Sequence, residues 1–276
     1  MPLSALLLAL TAAFVHALWN LLLARARDPE AATAVALLIA VTVFAPVSVL
    51  AWGVEREAWP YLAVTSCLHL VYFSLLIAGY RRADVSVVYP VSRGVAPTFV
   101  LLAGIVVLGY ATSWAQAAGV VLVGLGVLAI RGVRKRAGAG GVLFGLAIAV
   151  VIAAYTLVDK RGLDHASPIA YLEIAMIAPA LAYTLWVARL RGGGLALRRE
   201  LNHSSVVAGV ATFTAYALVL AALERASAAS VAAVRETSVV VATLLAAVVL
   251  KEHVTPARLA GAILVACGVA VLAIGG

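Results

Sequence analysis

The sequence predicts an all-α integral membrane protein with ten transmembrane helices, arranged as two inverted five-helix repeats around a central cavity. Composition is the first reason: 65% of the residues are hydrophobic and 12% are charged, whereas soluble domains are about 45–50% apolar and about 25% charged. The second reason is a series of apolar runs of the roughly 20 residues that a helix needs to cross a bilayer. The third is a similarity between the two halves of the chain.

Ten apolar runs are separated by short connections rich in charge, proline or glycine. No basic residue precedes the first run, and Arg25 and Arg27 follow it. A secretory signal has the opposite charge order and a shorter apolar stretch, so we expect a spanning helix here. The predicted spans are 3–24, 32–53, 58–80, 85–108, 113–130, 141–159, 168–189, 204–223, 226–250 and 255–274.

Positive charge is concentrated on alternate connections. The formal net charge is +8, which in a soluble protein would suggest nucleic-acid binding. Of the 20 Lys and Arg residues, 14 lie in or beside the connections after spans 1, 3, 5, 7 and 9, which we call the basic face. Because Lys and Arg mark the cytoplasmic side, we expect a multi-pass protein of a bacterial-type inner (plasma) membrane. Both termini should lie on the non-cytoplasmic side, and no nucleic-acid partner is expected.

The two halves of the chain share a repeated segment. Residues 115–127 read AQAAGVVLVGLGV, and residues 257–269 read ARLAGAILVACGV at an offset of 142 positions. We therefore predict a first five-helix repeat over 1–135 and a second over 136–276. An odd number of spans in each repeat gives the copies opposite orientations, an arrangement typical of secondary transporters with a site near the membrane midplane.

Three motifs resemble a known family. They are HALWN at 16–20, YRRADVSVVYPVSRGVAP at 80–97, and LKEHVTPARLAGAILVACGVAVL at 250–272. The chain resembles the ten-helix EamA-type exporters of the drug/metabolite transporter superfamily. That resemblance implies a cavity framed by helices 1–4 and 6–9, with helices 5 and 10 at the periphery. It also implies the export of amino acids, aromatic ones among them, or of other small metabolites.

Charged residues within predicted spans are the strongest candidates for a binding site. Arg93, Arg235 and Glu236 all lie in apolar runs, where a charge is costly unless it is paired or faces water. Arg93 and Glu236 are equivalent in the two repeats, whereas the counterpart of Arg235 is Ser92. Two arrangements of the first pair stay open. They form a direct ion pair, or they hold a zwitterion between them, which a depth difference of about 8–9 Å, at about 1.5 Å per helical residue, favours.

Polar and aromatic residues complete the predicted site. Tyr89 shares a helical face with Arg93, and four deep aromatic side chains offer stacking surfaces for an organic solute. His16 and His69 are open to two interpretations, a proton relay or hydrogen-bonded core histidines. We expect Asn20 and Asp159 to be gate or cap residues in the cytoplasmic parts of helices 1 and 6. The four aromatic residues are Trp19, Tyr72, Tyr155 and Tyr216.

These features predict a secondary transporter that exports a small organic solute, most plausibly amino acids, by alternating access through a midplane cavity. The alternatives are a carrier of another small metabolite, or of a drug-like cation with proton coupling, and more remotely a membrane-embedded lipid-modifying enzyme. No GxxxxGK[ST] motif for ATP is present. We expect no enzymatic activity, no cofactor and no metal. The expected partners are a small-molecule substrate and the lipid bilayer, and the expected state is a monomer.

Overall fold

The computed structural model describes residues 1–131, 139–190, 194–249 and 255–275. Within these ranges nine segments are long and apolar enough to cross a membrane, and the apolar helix Trp114–Ile130 is slightly shorter. The predicted fold class is confirmed. The helices are α1 (Leu3–Ala24), α2 (Pro29–Leu50), α3 (Trp59–Arg82), α4 (Val85–Val106), α5 (Trp114–Arg131), α6 (Ala139–Gly162), α7 (Pro168–Leu190), α8 (Gly194–Glu200), α9 (His203–Arg225), α10 (Ala228–Arg235), α11 (Thr237–Val249) and α12 (Pro256–Gly275).

Polar side chains cap several helices at the ends of their apolar runs. The Asp28 carboxylate accepts hydrogen bonds from two backbone N–H groups in the first turn of α2, which begins at Pro29. Asn202 caps α9 and Ser227 caps α10 in the same way. Such caps satisfy N–H groups that have no partner inside the helix. Because lipid offers no hydrogen bonds, they help to set where each span begins.

The ninth predicted span is interrupted at Glu236. Helix α10 ends at Arg235, Glu236 adopts φ −71° and ψ −7°, and α11 begins at Thr237. The freed groups stay paired, because the Thr237 hydroxyl donates to the Val234 carbonyl at 2.8 Å. Irregular backbone at membrane depth is tolerated where protein surrounds it. Glu236 therefore lies at the junction of two helices within one apolar span, Ala228–Leu245.

Helices α5 and α12 show directly that the repeats are inverted. A Cβ atom on Gly119 would lie 2.9 Å from the Gly268 carbonyl oxygen, and one on Gly126 would lie 2.7 Å from that of Gly261. The two helices are therefore antiparallel and packed backbone to backbone, as small residues permit. At the repeat offset of 142, Gly119 corresponds to Gly261 and Gly126 to Gly268, so the two contacts are images of each other.

Packing between the other helices follows the same two-fold symmetry. The contact of α1 with α9 has its counterpart in α6 with α3, and that of α2 with α9 has its counterpart in α7 with α3. Likewise α1 contacts α10 as α6 contacts α4, while α2 with α7 and α4 with α10 are pairs of equivalent helices. The predicted boundary between residues 135 and 136 lies outside the described residues and stays a prediction.

Candidate functional site

A cavity of about 620 Å³ lies between the two repeats. Its described wall comes from α1 to α4 and from α6, α7, α9 and α10, with no residue from α5 or α12. This is the arrangement that the family resemblance implies. The volume falls within the range of about 300–1,000 Å³ that is typical of small-molecule sites, and such sites are largely apolar with a few polar groups.

The cavity brings together ten of the eleven predicted site residues. Glu236 is the exception: its side chain is fully buried behind the wall, against the two arginines. The role of the ten cavity residues in substrate binding stays a prediction. Their location around one cavity is what a binding site requires. The ten are His16, Trp19, Asn20, His69, Tyr72, Tyr89, Arg93, Tyr155, Tyr216 and Arg235.

Arg93 and Glu236 form a direct ion pair. Arg93 Nε lies 3.3 Å from Glu236 Oε2, which leaves no space for a ligand between these atoms. Arg235 Nε lies 3.7 Å from the other carboxylate oxygen. The inference drawn from a depth difference of about 8–9 Å was wrong, because that difference compares backbone positions and takes no account of the reach of two long side chains. The packing of α10 against α4 brings the two side chains together.

The three charged side chains carry a net charge of +1. One carboxylate neutralises one of the two guanidinium groups, and Arg93 and Arg235 both line the cavity. A buried charge costs several kcal/mol in desolvation unless a partner compensates it. The excess positive charge of this cluster therefore favours an anionic group beside the two arginines. The other acidic residue on the wall, Glu30, lies in the first turn of α2 near the basic face. Among the groups that could meet it, a ligand carboxylate can accept two parallel hydrogen bonds from an arginine.

His16 contacts the arginine group as a neutral side chain. Its Nε2 lies 3.0 Å from an amino nitrogen of Arg93. A guanidinium group only donates hydrogen bonds, so His16 Nε2 accepts and carries no proton. This geometry favours the hydrogen-bonded core histidine over the proton relay for His16. Asn20 lies one turn further on and donates to the His16 carbonyl at 2.8 Å.

Aromatic rings form much of the remaining wall. The rings of His69 and Tyr155 stack with centroids 4.5 Å apart, and Tyr216 meets Tyr155 nearly at right angles at 6.4 Å. Tyr72 meets Tyr155 edge to face at 6.2 Å. Trp19 packs against His16, and its buried Nε1 has no hydrogen-bond partner in the part of the chain that the structure describes. The wall therefore offers flat apolar faces to the cavity.

Asp159 is the centre of a second buried polar network. Its Oδ1 accepts hydrogen bonds from Thr65 Oγ1 at 2.6 Å and from the Tyr171 hydroxyl at 3.2 Å, and its Oδ2 accepts one from the Tyr216 hydroxyl at 2.6 Å. Sequence reasoning missed Thr65 and Tyr171, because single hydroxyls in apolar helices carry no distinctive pattern. The network joins α3 of the first repeat to three helices of the second.

The predicted position of Asp159 was wrong. It was expected at the same membrane face as Asn20, in the cytoplasmic part of helix 6. Successive spans cross in alternate directions, so the connection after α6 lies on the face opposite to the connection after α1. Asp159 is in the last turn of α6. It therefore lies toward the face opposite the basic face, and Asn20 lies toward the basic face.

The connections after α2 and α6 close the end of the protein opposite the basic face. The Glu55 N–H donates to the His165 carbonyl at 2.9 Å, and the Ser167 N–H donates to the Gly53 carbonyl at 2.8 Å. Side chains add a contact between His165 Nδ1 and Glu55 Oε2 at 3.2 Å and a hydrogen bond from the Ser167 hydroxyl to the Ala51 carbonyl at 2.6 Å. We call these paired connections the latch.

The cavity extends toward the basic face. Its wall includes Asn20 and Leu23 near the end of α1 and Pro29 and Glu30 at the start of α2, and Pro29 is exposed. The equivalent of the latch on this face is a contact between the connection after α1 and α8. There the Asp28 N–H donates to a Glu200 carboxylate oxygen at 3.1 Å. The wall thus reaches one membrane face and stops short of the other, where the latch lies.

Inverted repeats that enclose a cavity between them are typical of membrane transporters. Comparison with protein families agrees: the model of the EamA-like transporter family matches residues 3–132 and 139–274. The chain belongs to this family, a drug/metabolite-type transporter group, and is a multi-pass membrane protein. A solved crystal structure is similar over 99% of this chain and 99% of its own, with a TM-score of 0.78 and 18% identity, which shows the fold alone. A search of curated proteins found no match.

Proposed function

We propose that this protein is a secondary carrier that exports amino acids, aromatic ones among them, by alternating access. The observation that carries the proposal is an aromatic-walled cavity bearing two arginines that share one carboxylate. The cavity is proposed to bind a solute and not to catalyse a reaction. A carrier of other small carboxylates is the nearest alternative, because the same excess positive charge would attract them.

The arginines support recognition of the carboxylate of an amino acid. Arg235 is the better candidate of the two, since Arg93 is closer to Glu236 and also donates to His16. A hydrogen bond between charged groups is worth about 1.5–3 kcal/mol, and more of that is realised in a dry site. The excess positive charge also disfavours a drug-like cation that lacks a carboxylate.

The aromatic wall supports recognition of the rest of the molecule. Faces of Tyr and Trp attract an ammonium group by cation–π interaction, worth about 0.5–2 kcal/mol. The stacked His69 and Tyr155 rings and the Tyr216 ring give an aromatic substrate a surface to pack against. A volume of about 620 Å³ accommodates a single amino acid of any size.

The positive charge of the basic face supports a direction for transport. If the positive-inside rule holds here, the basic face is cytoplasmic and the cavity opens toward the cytoplasm, while the latch closes the outer side. We infer that the structure represents an inward-open state that loads solute from the cytoplasm. In this orientation both termini lie outside, in a bacterial-type inner membrane.

A counterflow assay in proteoliposomes tests the proposal. Vesicles loaded with unlabelled L-tryptophan should take up labelled L-tryptophan without ATP. Unlabelled tryptophan should compete, whereas tryptamine, which lacks the carboxylate, should not. The variant Arg235→Gln leaves the Arg93–Glu236 pair intact and should weaken tryptophan binding about 10- to 100-fold, because one charge-assisted bond is lost.

Arg81→Gln is the matched control, because Arg81 is exposed in the last turn of α3. It should transport like the wild type. Equal competition by tryptamine and tryptophan would contradict carboxylate recognition. So would wild-type affinity in Arg235→Gln. Failure to move any amino acid in a full panel would refute the amino acid proposal while leaving the family membership intact.

A further inference from the structure

Asp159 is a buried carboxylate surrounded by neutral hydrogen-bond donors. It is 1% exposed, and its recorded partners are the hydroxyl groups of Thr65, Tyr171 and Tyr216. Within the described residues, no Lys or Arg nitrogen forms an ion pair with it. Burial of an unpaired carboxylate charge is costly, so this group has little to hold it permanently in the ionised form.

The network can hold Asp159 in either protonation state. The ionised carboxylate accepts three hydrogen bonds. A protonated carboxyl can instead donate one, because the hydroxyl groups of Tyr171 and Tyr216 are both donors and acceptors and can rotate. The carboxyl group and the surrounding hydroxyl groups therefore keep hydrogen-bond partners when Asp159 gains or loses a proton. Glu236 lacks this freedom, because guanidinium groups donate only.

A hydrogen-bonded path joins Asp159 to the cavity. Tyr216, which donates to Asp159 Oδ2, lines the cavity. On the other side, Thr65 donates to Oδ1, and its hydroxyl lies 3.5 Å from Nδ1 of His69, a second cavity residue. The same His69 Nδ1 lies 2.9 Å from the Thr65 carbonyl. Because a carbonyl oxygen only accepts, this contact holds the Nδ1 proton of His69, and Tyr216 is the side chain through which protons can reach the carboxylate from the cavity.

The opposite side of Asp159 faces the latch. The residue is one turn from the end of α6 at Gly162, where a Cβ atom would lie 2.6 Å from the Tyr171 hydroxyl. The chain then enters the connection that pairs at His165 and Ser167. Asp159 thus lies between the cavity and the latch. Opening the latch while the cavity closes would expose the carboxylate to the other membrane face.

The titratable groups facing Asp159 come from every helix packed against it. His69 lies on α3, Tyr155 on α6 itself, Tyr171 on α7 and Tyr216 on α9. Arg235 on α10 is on the cavity wall with His69 and Tyr216. The adjacent Lys160 turns away from the carboxylate and donates to the Leu223 carbonyl. None of these groups forms an ion pair with Asp159 in the described structure.

We propose that Asp159 is the proton-binding site that couples solute export to a proton gradient. In the latch-open state it takes up one proton from the outer side, and in the state described here it releases that proton through Tyr216 to the cavity. One proton thus enters as the solute leaves. The direction of coupled transport in this inference rests on the proposed export function. The assignment of Asp159 as a proton-binding site does not.

The first experiment is independent of substrate and uses the full chain in lipid. Infrared difference spectra between acidic and alkaline pH should show, among the C=O bands of the titrating carboxyl groups of the wild type, one band that depends on Asp159. The band should be absent in Asp159→Asn and present in Glu173→Gln, which removes another buried carboxyl group, on α7 and outside the cavity wall. Loss of the band in Glu173→Gln, with retention in Asp159→Asn, would overturn the proposal.

The second experiment measures coupling in proteoliposomes with L-tryptophan. A pH gradient should drive accumulation in the wild type. In Asp159→Asn, accumulation of tryptophan should fall to the level measured without a gradient, while counterflow exchange is retained. Asp159→Glu should restore the gradient-driven accumulation. Gradient-driven accumulation in Asp159→Asn equal to that of the wild type would overturn the proposal.

If Asp159→Asn does not fold, Tyr171→Phe is the second variant, because it keeps the carboxyl group of Asp159. It should displace the pH midpoint of the infrared band, and an unmoved midpoint would count against the site.

The two proposals fail in different ways. A titrating band that depends on Asp159, without transport of any amino acid, would refute the proposed substrate and support the proton site. Tryptophan counterflow that requires Arg235, with no Asp159-dependent band and no gradient response, would support the proposed function and refute the proton site.

Discussion

Glu236 and Asp159 are both buried carboxylates, and they solve the same physical problem in opposite ways. Glu236 lies between two guanidinium groups, at 3.3 and 3.7 Å, and is fully buried. Asp159 is bound by three neutral hydroxyl groups. The first arrangement keeps a charge in place by compensating it, whereas the second tolerates both the charged and the neutral form. The difference separates a site that fixes positive charge in the cavity from one that can gain and lose a proton.

Removing the charge of Glu236 should have the largest effect on stability. Glu236→Gln leaves two guanidinium groups buried without a counter-ion, which costs about 3–5 kcal/mol. Thermal unfolding in detergent should show a marked loss of stability relative to the wild type. Asp159→Asn, which leaves no charge unpaired, is the matched control and should lose less. Equal destabilisation of the two variants would contradict the distinction between them.

Removing one of the hydrogen-bond donors to Asp159 should have the next largest effect on stability. Tyr216→Phe and Tyr171→Phe each remove one hydrogen bond to a carboxylate, worth about 1.5–3 kcal/mol. Both should lower the free energy of unfolding, but only Tyr216 lines the cavity. Counterflow of tryptophan should therefore weaken in Tyr216→Phe alone. Equal transport defects in the two variants would show that the network acts only through stability.

A change at the periphery should affect stability without affecting either carboxylate. At Gly126 a Cβ atom would lie 2.7 Å from the Gly261 carbonyl oxygen, so Gly126→Ala forces α5 and α12 apart at a cost of about 1–3 kcal/mol. Gly140→Ala, where nothing lies within 4 Å of the added atom, is the matched control. The affinity for tryptophan and the infrared band of Asp159 should be unchanged in both variants.

The smallest expected effect concerns access from the latch. Ser167→Ala removes the hydrogen bond to the Ala51 carbonyl, worth about 0.5–1.5 kcal/mol, and should open the latch more often. A membrane-impermeant maleimide should then label Leu163→Cys faster, with Cys67 and Cys267 replaced by Ser. The control position Val234→Cys, two residues before Glu236, should not change. Faster labelling at both positions would indicate general loosening.

Repeat symmetry made the pairing of Arg93 with Glu236 predictable from the sequence. Equivalent positions in inverted repeats lie near the same axis, so a residue from each half can meet there. The direct contact was left open because depth along a helix compares backbone positions and not the ends of long side chains. Glu236 ends α10 rather than continuing it, and no pattern in the sequence signals that turn.

The network around Asp159 could not be predicted for a different reason. Thr65, Tyr171 and Tyr216 are distant in sequence from one another and lie on three different helices. Hydroxyl groups occur throughout apolar helices, where they often bond to their own backbone, as Thr156 does to the Ile152 carbonyl. Only the packing of α3, α7 and α9 around α6 selects these three.

The sequence by itself determined the membrane class, the spans, the inversion of the repeats and ten residues of the cavity wall. These follow from hydrophobic length, charge bias and internal repetition, which are local or periodic properties. The tertiary structure decided which charges pair, which hydroxyl groups surround Asp159 and which membrane face the cavity reaches. Those depend on distances of a few ångströms between helices, and in a desolvated interior such distances determine whether a charge is held or released.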